Sequence, residues 1–267
     1  MSNPAKSIRI GTMIKASEGQ AAENIKAIAD LGFESFEPFF WQTTNGQDLK
    51  ELGKRSLDAI GNRDITISTL GMFGNPLEDQ EMDRQTLQGW KDCIDNARHF
   101  GATCVAGFTG RIRNKPLTDS LPRYKQVWSE LAKRAADNGV KIAFENCAMD
   151  GNWQTGDWNI AHNPDAWELM FNETPDDNLG LEWEPCHQLV YLIDPLRQHA
   201  EIVMLGTNTG EYTVAVRKGV DADANAIIKQ INELTGGKGG GRKDVARGSS
   251  KDPAKLAEAF DRVAAAL

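Results

Sequence analysis

The sequence predicts an α/β protein, a TIM-type (β/α) barrel left incomplete at six clear strand–helix units and followed by a small α+β C-terminal segment. Three observations carry this. Short β-rich runs alternate with stretches whose apolar positions recur at three- and four-residue spacing. The units repeat roughly every 30–45 residues, which is too long for hairpins and implies parallel strands with crossover helices. Polar residues follow many of the strands (Glu37, Thr69, Asn75, Arg111, Glu145, Glu184 and His187), which suits the catalytic face of a barrel.

The first strand is expected in IRIGTM, from Ile8. No glycine fingerprint follows it, so an open dinucleotide-binding sheet is the weaker alternative. The next strands are FESFEPFF from Phe33, ITISTLGMF from Ile65, TCVAGFTG from Thr103, KIAFENC from Lys141 and LGLEWEP from Leu179. Helices are expected in AAENIKAIADLG, DLKELGKRSLDAIGN, RQTLQGWKDCIDNARHFG, YKQVWSELAKRAADNG and PDAWELMFNE. Gly32, Gly61, Gly101 and Gly139 read as helix stops. The rhythm breaks after Pro195, and a boundary is placed near 196–200, dividing the chain into 1–198 and 199–267. AEIVMLGTNTGEYTVAVRKG reads as two antiparallel strands joined at TNTGE. A helix, a flexible Gly-rich basic loop and a last helix from about Pro253 follow. Six units leave open edges, and the strands from Glu201 and Tyr212 are candidates to cover one.

Composition is that of a soluble globular chain of 267 residues. The net charge of −8 argues against a general nucleic-acid binder but leaves room for a local basic patch. The N-terminal MSNPAKSIRIGTM has no apolar signal region, and no apolar run approaches the ~20 residues of a membrane span. Cys93, Cys104, Cys147 and Cys186 are widely spaced, as expected of reduced thiols in a cytoplasmic protein.

Side chains alternate along a strand, so Glu145 and Cys147 share a face, as do Glu184 and Cys186. Both pairs lie at C-terminal strand ends, where neighbouring strands can aim two carboxylates at one point. Carboxylates suit Mg2+ or Mn2+, and an imidazole such as His187 shifts the preference towards Mn2+, Co2+ or Zn2+. Read as ordinary loop-start residues they would carry no site, but two at matching ends beside Asn146 and His187 favour one. Glu182 shares the face of Glu184 and is expected to sit lower in the barrel or to pair with a buried base. The long loop Ala148–Pro164 offers Trp153 and Trp158 as sugar-stacking rings or as loop anchors. Arg111 and Arg113 either meet a phosphate or sugar oxygen or form a solvated surface pair.

Residues 8 to about 195 resemble the xylose-isomerase-like TIM barrels, the sugar (phosphate) isomerase/epimerase superfamily. The resemblance lies in LGFESFEPFFW, ISTLGMFGNPL, ARHFGATCVAGFTGR, VKIAFENC and LGLEWEPCHQLVYLIDP. It implies a divalent-metal enzyme (Mn2+, Mg2+ or Co2+) with a small sugar substrate. Glu145 would be ligand and base, Glu184 the second ligand, and His187 a metal or substrate contact. The family motif Asp-Pro-x-His is here Glu184-Pro185-Cys186-His187. The family's remaining ligands, a His on the seventh strand and a Glu on the eighth, have no counterpart. A homo-oligomer is compatible with the resemblance.

Residues 200–267 resemble the C-terminal domain of alanyl-tRNA synthetases, through GEYTVAVRKGVDADANAIIKQINELTGGKGGGRKDVARGSSKDPAKLAEAF. This implies tRNA contact rather than chemistry. From Gly236 to Lys255 the local charge is +4 against −12 for the rest of the chain. Lys238, Arg242, Lys243 and Arg247 are the candidate phosphate or RNA contacts. The two resemblances together also suit a fusion without catalysis.

Overall fold

A computed structural model describes residues 8–188, 193, 196 and 199–267. The resemblance at 189–195 and the expected boundary near 196–200 fall partly outside these residues. Two compact units result, Met1–His187 and Gln188–Leu267.

The first unit follows the expected strand–helix alternation. Its elements are β1 (Gly11–Lys15), α1 (Ala21–Ile28), β2 (Ser35–Trp41), α2 (Leu49–Ile60), β3 (Thr66–Ile67) and β4 (Thr69–Phe73). Then come α3 (Glu81–Asn96), β5 (Cys104–Gly107), α4 (Leu121–Asp137), β6 (Lys141–Glu145), α5 (Pro164–Glu173) and β7 (Leu179–Glu182). Helix starts are fixed locally: the Asp48 carboxylate accepts from the Glu51 amide and the Asn163 side chain from the Ala166 amide. Gly32, Gly61, Gly101 and Gly139 all take positive φ just past their helices, as stops require.

The sheet is wholly parallel, ordered β1-β2-β4-β5-β6-β7, with the short β3 beside β2. Phe36, Phe40, Leu70, Val105, Ile142 and Phe144 are buried from the strands, against Ile25, Leu52, Trp90, Trp128 and Leu131 from the helices. The Trp128 indole packs edge-on to both Trp90 and Phe144, with centroids 4.8 and 4.7 Å away. The sheet curls. Glu37 on β2 hydrogen-bonds Glu182 on β7, four strands along the path. On a flat sheet those strands would lie about 19 Å apart, so only curvature brings the two side chains together inside it.

The second unit comprises β8 (Ile202–Gly206), β9 (Glu211–Val216), α6 (Ala224–Thr235), β10 (Lys238–Gly241), β11 (Val245–Ser249) and α7 (Leu256–Ala264). β8 and β9 pair antiparallel, as TNTGE predicts. They hydrogen-bond within a separate four-stranded sheet, β10-β11-β9-β8, rather than to an edge of the parallel sheet. Tyr212, Val214, Val216 and Ala246 pack there against Ile227, Ile228 and Ile231 of α6 and Leu256 and Val263 of α7.

The expected flexible Gly-rich loop is instead the β10–β11 hairpin. Its glycines serve close packing rather than mobility. A Cβ at Gly248 would stand 2.5 Å from the Tyr212 ring, and one at Gly239 would strike the Arg247 carbonyl. Among the described residues no helix is long and apolar enough to cross a membrane.

Candidate metal centre

β6 and β7 are in parallel register, and Glu145 stands opposite Glu182 at their ends. Beyond β7 the chain turns helical at 185–188, beginning with Pro185. That turn places His187 three residues after Glu184 on the same face. His187 Nε2 lies 2.6 Å from Glu184 Oε2 and 3.5 Å from Glu145 Oε1. The three side chains expected to hold a metal thus converge on one imidazole nitrogen.

Asn146 fixes this geometry. Fully buried, it donates from Nδ2 to the Glu184 carbonyl at 3.0 Å and accepts from the Glu184 amide at 2.6 Å. Its amide therefore continues the β6–β7 ladder one step past the last strand pair. Burial, and then the charges of Glu184 and Glu182, push the Glu145 carboxyl up to about 8. A divalent cation would offset that repulsion, and two carboxylates with an imidazole are a donor set that suits one.

A second acid pair lies inside the curled sheet. Burial, then the neighbouring Glu182, pushes Glu37 up to about 9, and Glu182 is raised as well. Glu37 Oε1 and Glu182 Oε2 have no hydrogen-bond partner. Gly71 leaves room for the pair, since a Cβ there would stand 2.7 Å from Glu37 Oε1. Of the two expectations for Glu182, a place lower in the barrel or a buried basic partner, the second fails, because its partner is the acid Glu37.

Two further buried asparagines tie the strand-end loops together. Asn75, after β4, donates to the Arg111 and Asp157 carbonyls and accepts from the Leu77 and Arg111 amides. Asn159 donates to the Glu145 and Cys147 carbonyls and accepts from the Thr109 and Ala161 amides and the Thr109 hydroxyl. Asn75 was visible as a polar residue after a strand. Asn159 gave no signal, because it sits in mid-loop and its partners are remote in sequence.

Arg111 is not placed for substrate. It is wholly buried, and its guanidinium donates to the carbonyls of Asn152 (2.6 Å) and Lys115 (2.9 Å), clamping the long loop. Nor is Arg113 its solvated companion, being bound to Asp83 and Glu78. Trp153 anchors the same loop: its ring packs on the core and edge-on to buried His162, 6.0 Å away. Burial and the Arg111 charge lower that imidazole to about 4, so it stays neutral. Trp158 packs against Trp41.

The family model described as xylose isomerase-like TIM barrel matches residues 25–226. The chain belongs to this family. Among solved structures similar to this xylose isomerase-like barrel is the 3-keto-D-glucoside 4-epimerase from E. coli in its apo form, at TM-score 0.53 and 16% identity, covering 72% of this chain and 73% of that one. Another is a xylose isomerase-like TIM barrel protein from Mycobacterium smegmatis in complex with magnesium, at TM-score 0.52 and 17% identity, covering 69% of this chain and 66% of that one. At such identities the likeness is one of fold.

The DHHA1 domain model matches residues 188–267. The alanine–tRNA ligase of Pyrococcus abyssi (strain GE5 / Orsay) is 37% identical over 71 residues, covering 27% of this chain and 8% of the ligase. The chain thus spans less than a tenth of the length of the first such ligases it matches. In this region Lys238, Arg242, Lys243 and Arg247 are all exposed on or beside the β10–β11 hairpin. Arg242 pairs with Asp244 at 3.1 Å, and Lys243 lies 3.9 Å from Asp221.

Proposed function

We propose that the chain is a divalent-metal-dependent isomerase or epimerase of sugars or sugar phosphates, or a derivative of one. The observation that carries this reading is the convergence of Glu145, Glu184 and His187 at the ends of adjacent strands in a chain of this family. Glu184 and His187 would hold the cation, with Glu145 beside them. A divalent metal held there would supply Lewis-acid polarisation of the carbonyl of an open-chain sugar. Glu145, ionised beside the cation, takes the proton from the carbon next to the carbonyl. Returned by Glu145 to the neighbouring carbon it completes an isomerisation, whereas inversion of the centre requires a second acid to deliver a proton from the opposite face.

The test is metal content with solvent-deuterium exchange at that carbon of a ketose. Both should be present in the native chain, with metal content falling in Glu184→Gln and exchange in Glu145→Gln. A native chain that binds no divalent metal and exchanges no deuterium refutes the reading.

A second reading concerns residues 188–267 alone, as an RNA-contacting module. It is supported by the DHHA1 match and by the four exposed basic residues of the hairpin. If all four meet phosphates, the logarithm of tRNA affinity should fall with log salt at a slope of about −3 to −4. Changing all four to Glu should abolish retention, and retention unaffected by that change would exclude the module.

A further inference from the structure

Two thiols flank the proposed centre, and the proposed chemistry uses neither. The Cys147 sulfur, a Glu145 oxygen and a His187 nitrogen all lie within 4.8 Å of one another. Glu184, Cys186 and His187 form a second triad within the same limit. The sulfur of Cys186 is 3.7 Å from the Glu184 Oε2 that also faces His187 Nε2. Cys93 and Cys104 belong to neither triad.

The spacing can be compared with real coordination. Ligands sit about 2.0–2.3 Å from Zn2+ in a tetrahedron, so they lie about 3.3–3.8 Å from each other. The 3.5 Å between His187 and Glu145 and the 3.7 Å between Cys186 and Glu184 fall in that range. The 2.6 Å between His187 and Glu184 is a hydrogen-bond distance and would open by about 1 Å when an ion replaces the proton.

Donor type decides which ion. Mg2+ requires oxygen ligands in near-octahedral array, whereas thiolates select softer ions. Within the parallel sheet no described strand follows β7 to add further oxygen or nitrogen donors. Two sulfurs lie within reach of the imidazole instead.

We propose that Cys147 and Cys186 join Glu184 and His187 as the ligands of this centre, with Glu145 beside it, and make it a thiolate–imidazole–carboxylate site that takes Zn2+ in preference to Mg2+ or Mn2+. The inference rests on the reading of Glu184 and His187 as metal ligands with Glu145 beside them. Each thiol that ligates releases its proton to solvent, and no electron transfer is involved.

The full chain, stripped of metal, is titrated with Co2+ as a spectroscopic probe and separately equilibrated with equimolar Zn2+ and Mn2+. A near-ultraviolet thiolate-to-cobalt charge-transfer band should appear. It should weaken in Cys147→Ser and in Cys186→Ser, vanish in the double variant, and survive in Cys104→Ser. Bound Zn2+ should exceed bound Mn2+ by about tenfold or more, with that preference narrowing in the double variant. Cys186 is exposed, so its substitution should not disturb folding.

Co2+ bound without the band, or with a band that outlasts the double variant, overturns the thiol ligation and leaves the carboxylate–imidazole reading intact. A band removed by only one of the single variants overturns the role of the other cysteine. A native chain that takes up neither Co2+ nor Zn2+ overturns this proposal together with the proposed function.

Discussion

Asn146→Ala should damage the candidate centre without touching any of its ligands. The side chain makes two hydrogen bonds, at 2.6 and 3.0 Å, to the backbone of Glu184, and it is fully buried. A typical hydrogen bond contributes about 0.5–1.5 kcal/mol, so the pair is worth about 1–3 kcal/mol. Glu184 is only half-buried, so water can replace part of the loss, and the lower half of the range is expected for stability. The effect on metal affinity should be larger, because the segment carrying both Glu184 and His187 is released. Loss of the same 1–3 kcal/mol from the bound state weakens affinity by about 5- to 150-fold. Urea unfolding measures the first quantity and metal titration the second. Lost stability with unchanged metal affinity would refute the claim that Asn146 sets the ligand geometry. An unchanged urea midpoint would refute the two hydrogen bonds themselves.

Three more outcomes follow from the same geometry. Glu37 and Glu145 hold their protons to about 9 and about 8, while in the unfolded chain both ionise near 4.3. The folded state therefore binds more protons across that interval, so stability is fully present at the acid end and is lost as pH rises. The urea midpoint of metal-free protein should fall from pH 5 to pH 9, and Glu37→Gln should flatten the fall; a midpoint rising over that range would contradict the assigned shifts. Gly107→Ala should cost about 3 kcal/mol or more or prevent folding, because φ is +147° and a Cβ would collide with the Met72 carbonyl; thermal unfolding reads it. Arg111→Ala should cost about 3–5 kcal/mol through the loop carbonyls left without donors and speed proteolysis between 148 and 158, whereas unaltered cleavage would deny the clamp.

Much of this was legible because two periodicities govern it. Parallel strands wrapped by helices read as apolar runs followed by three- and four-residue spacing, so each of the six expected strands and five expected helices was found within a few residues. Glu145 and Glu184 were legible because alternation fixes which side chains share a face, and Pro185 marks where the strand has given way to the next turn. The limits have physical causes too. Nothing local says that Glu182 faces Glu37, since that contact depends on how far the whole sheet curls. A Lys-Gly-Gly-Gly run looks unstructured, yet its missing side chains let β10 lie against β11. Arg111 looked like a surface cation because its burial depends on a loop that begins 37 residues later.

The three asparagine amides behind the strand ends separate position from chemistry. Asn75, Asn146 and Asn159 each both give and accept hydrogen bonds, joining the loops after β4, β5, β6 and β7. None of them is a proposed ligand. The reacting set can therefore be exchanged, oxygen for sulfur or acid for base, over an unchanged frame. A lineage could retool this mouth one donor at a time and keep its shape, provided those amides stay where they are.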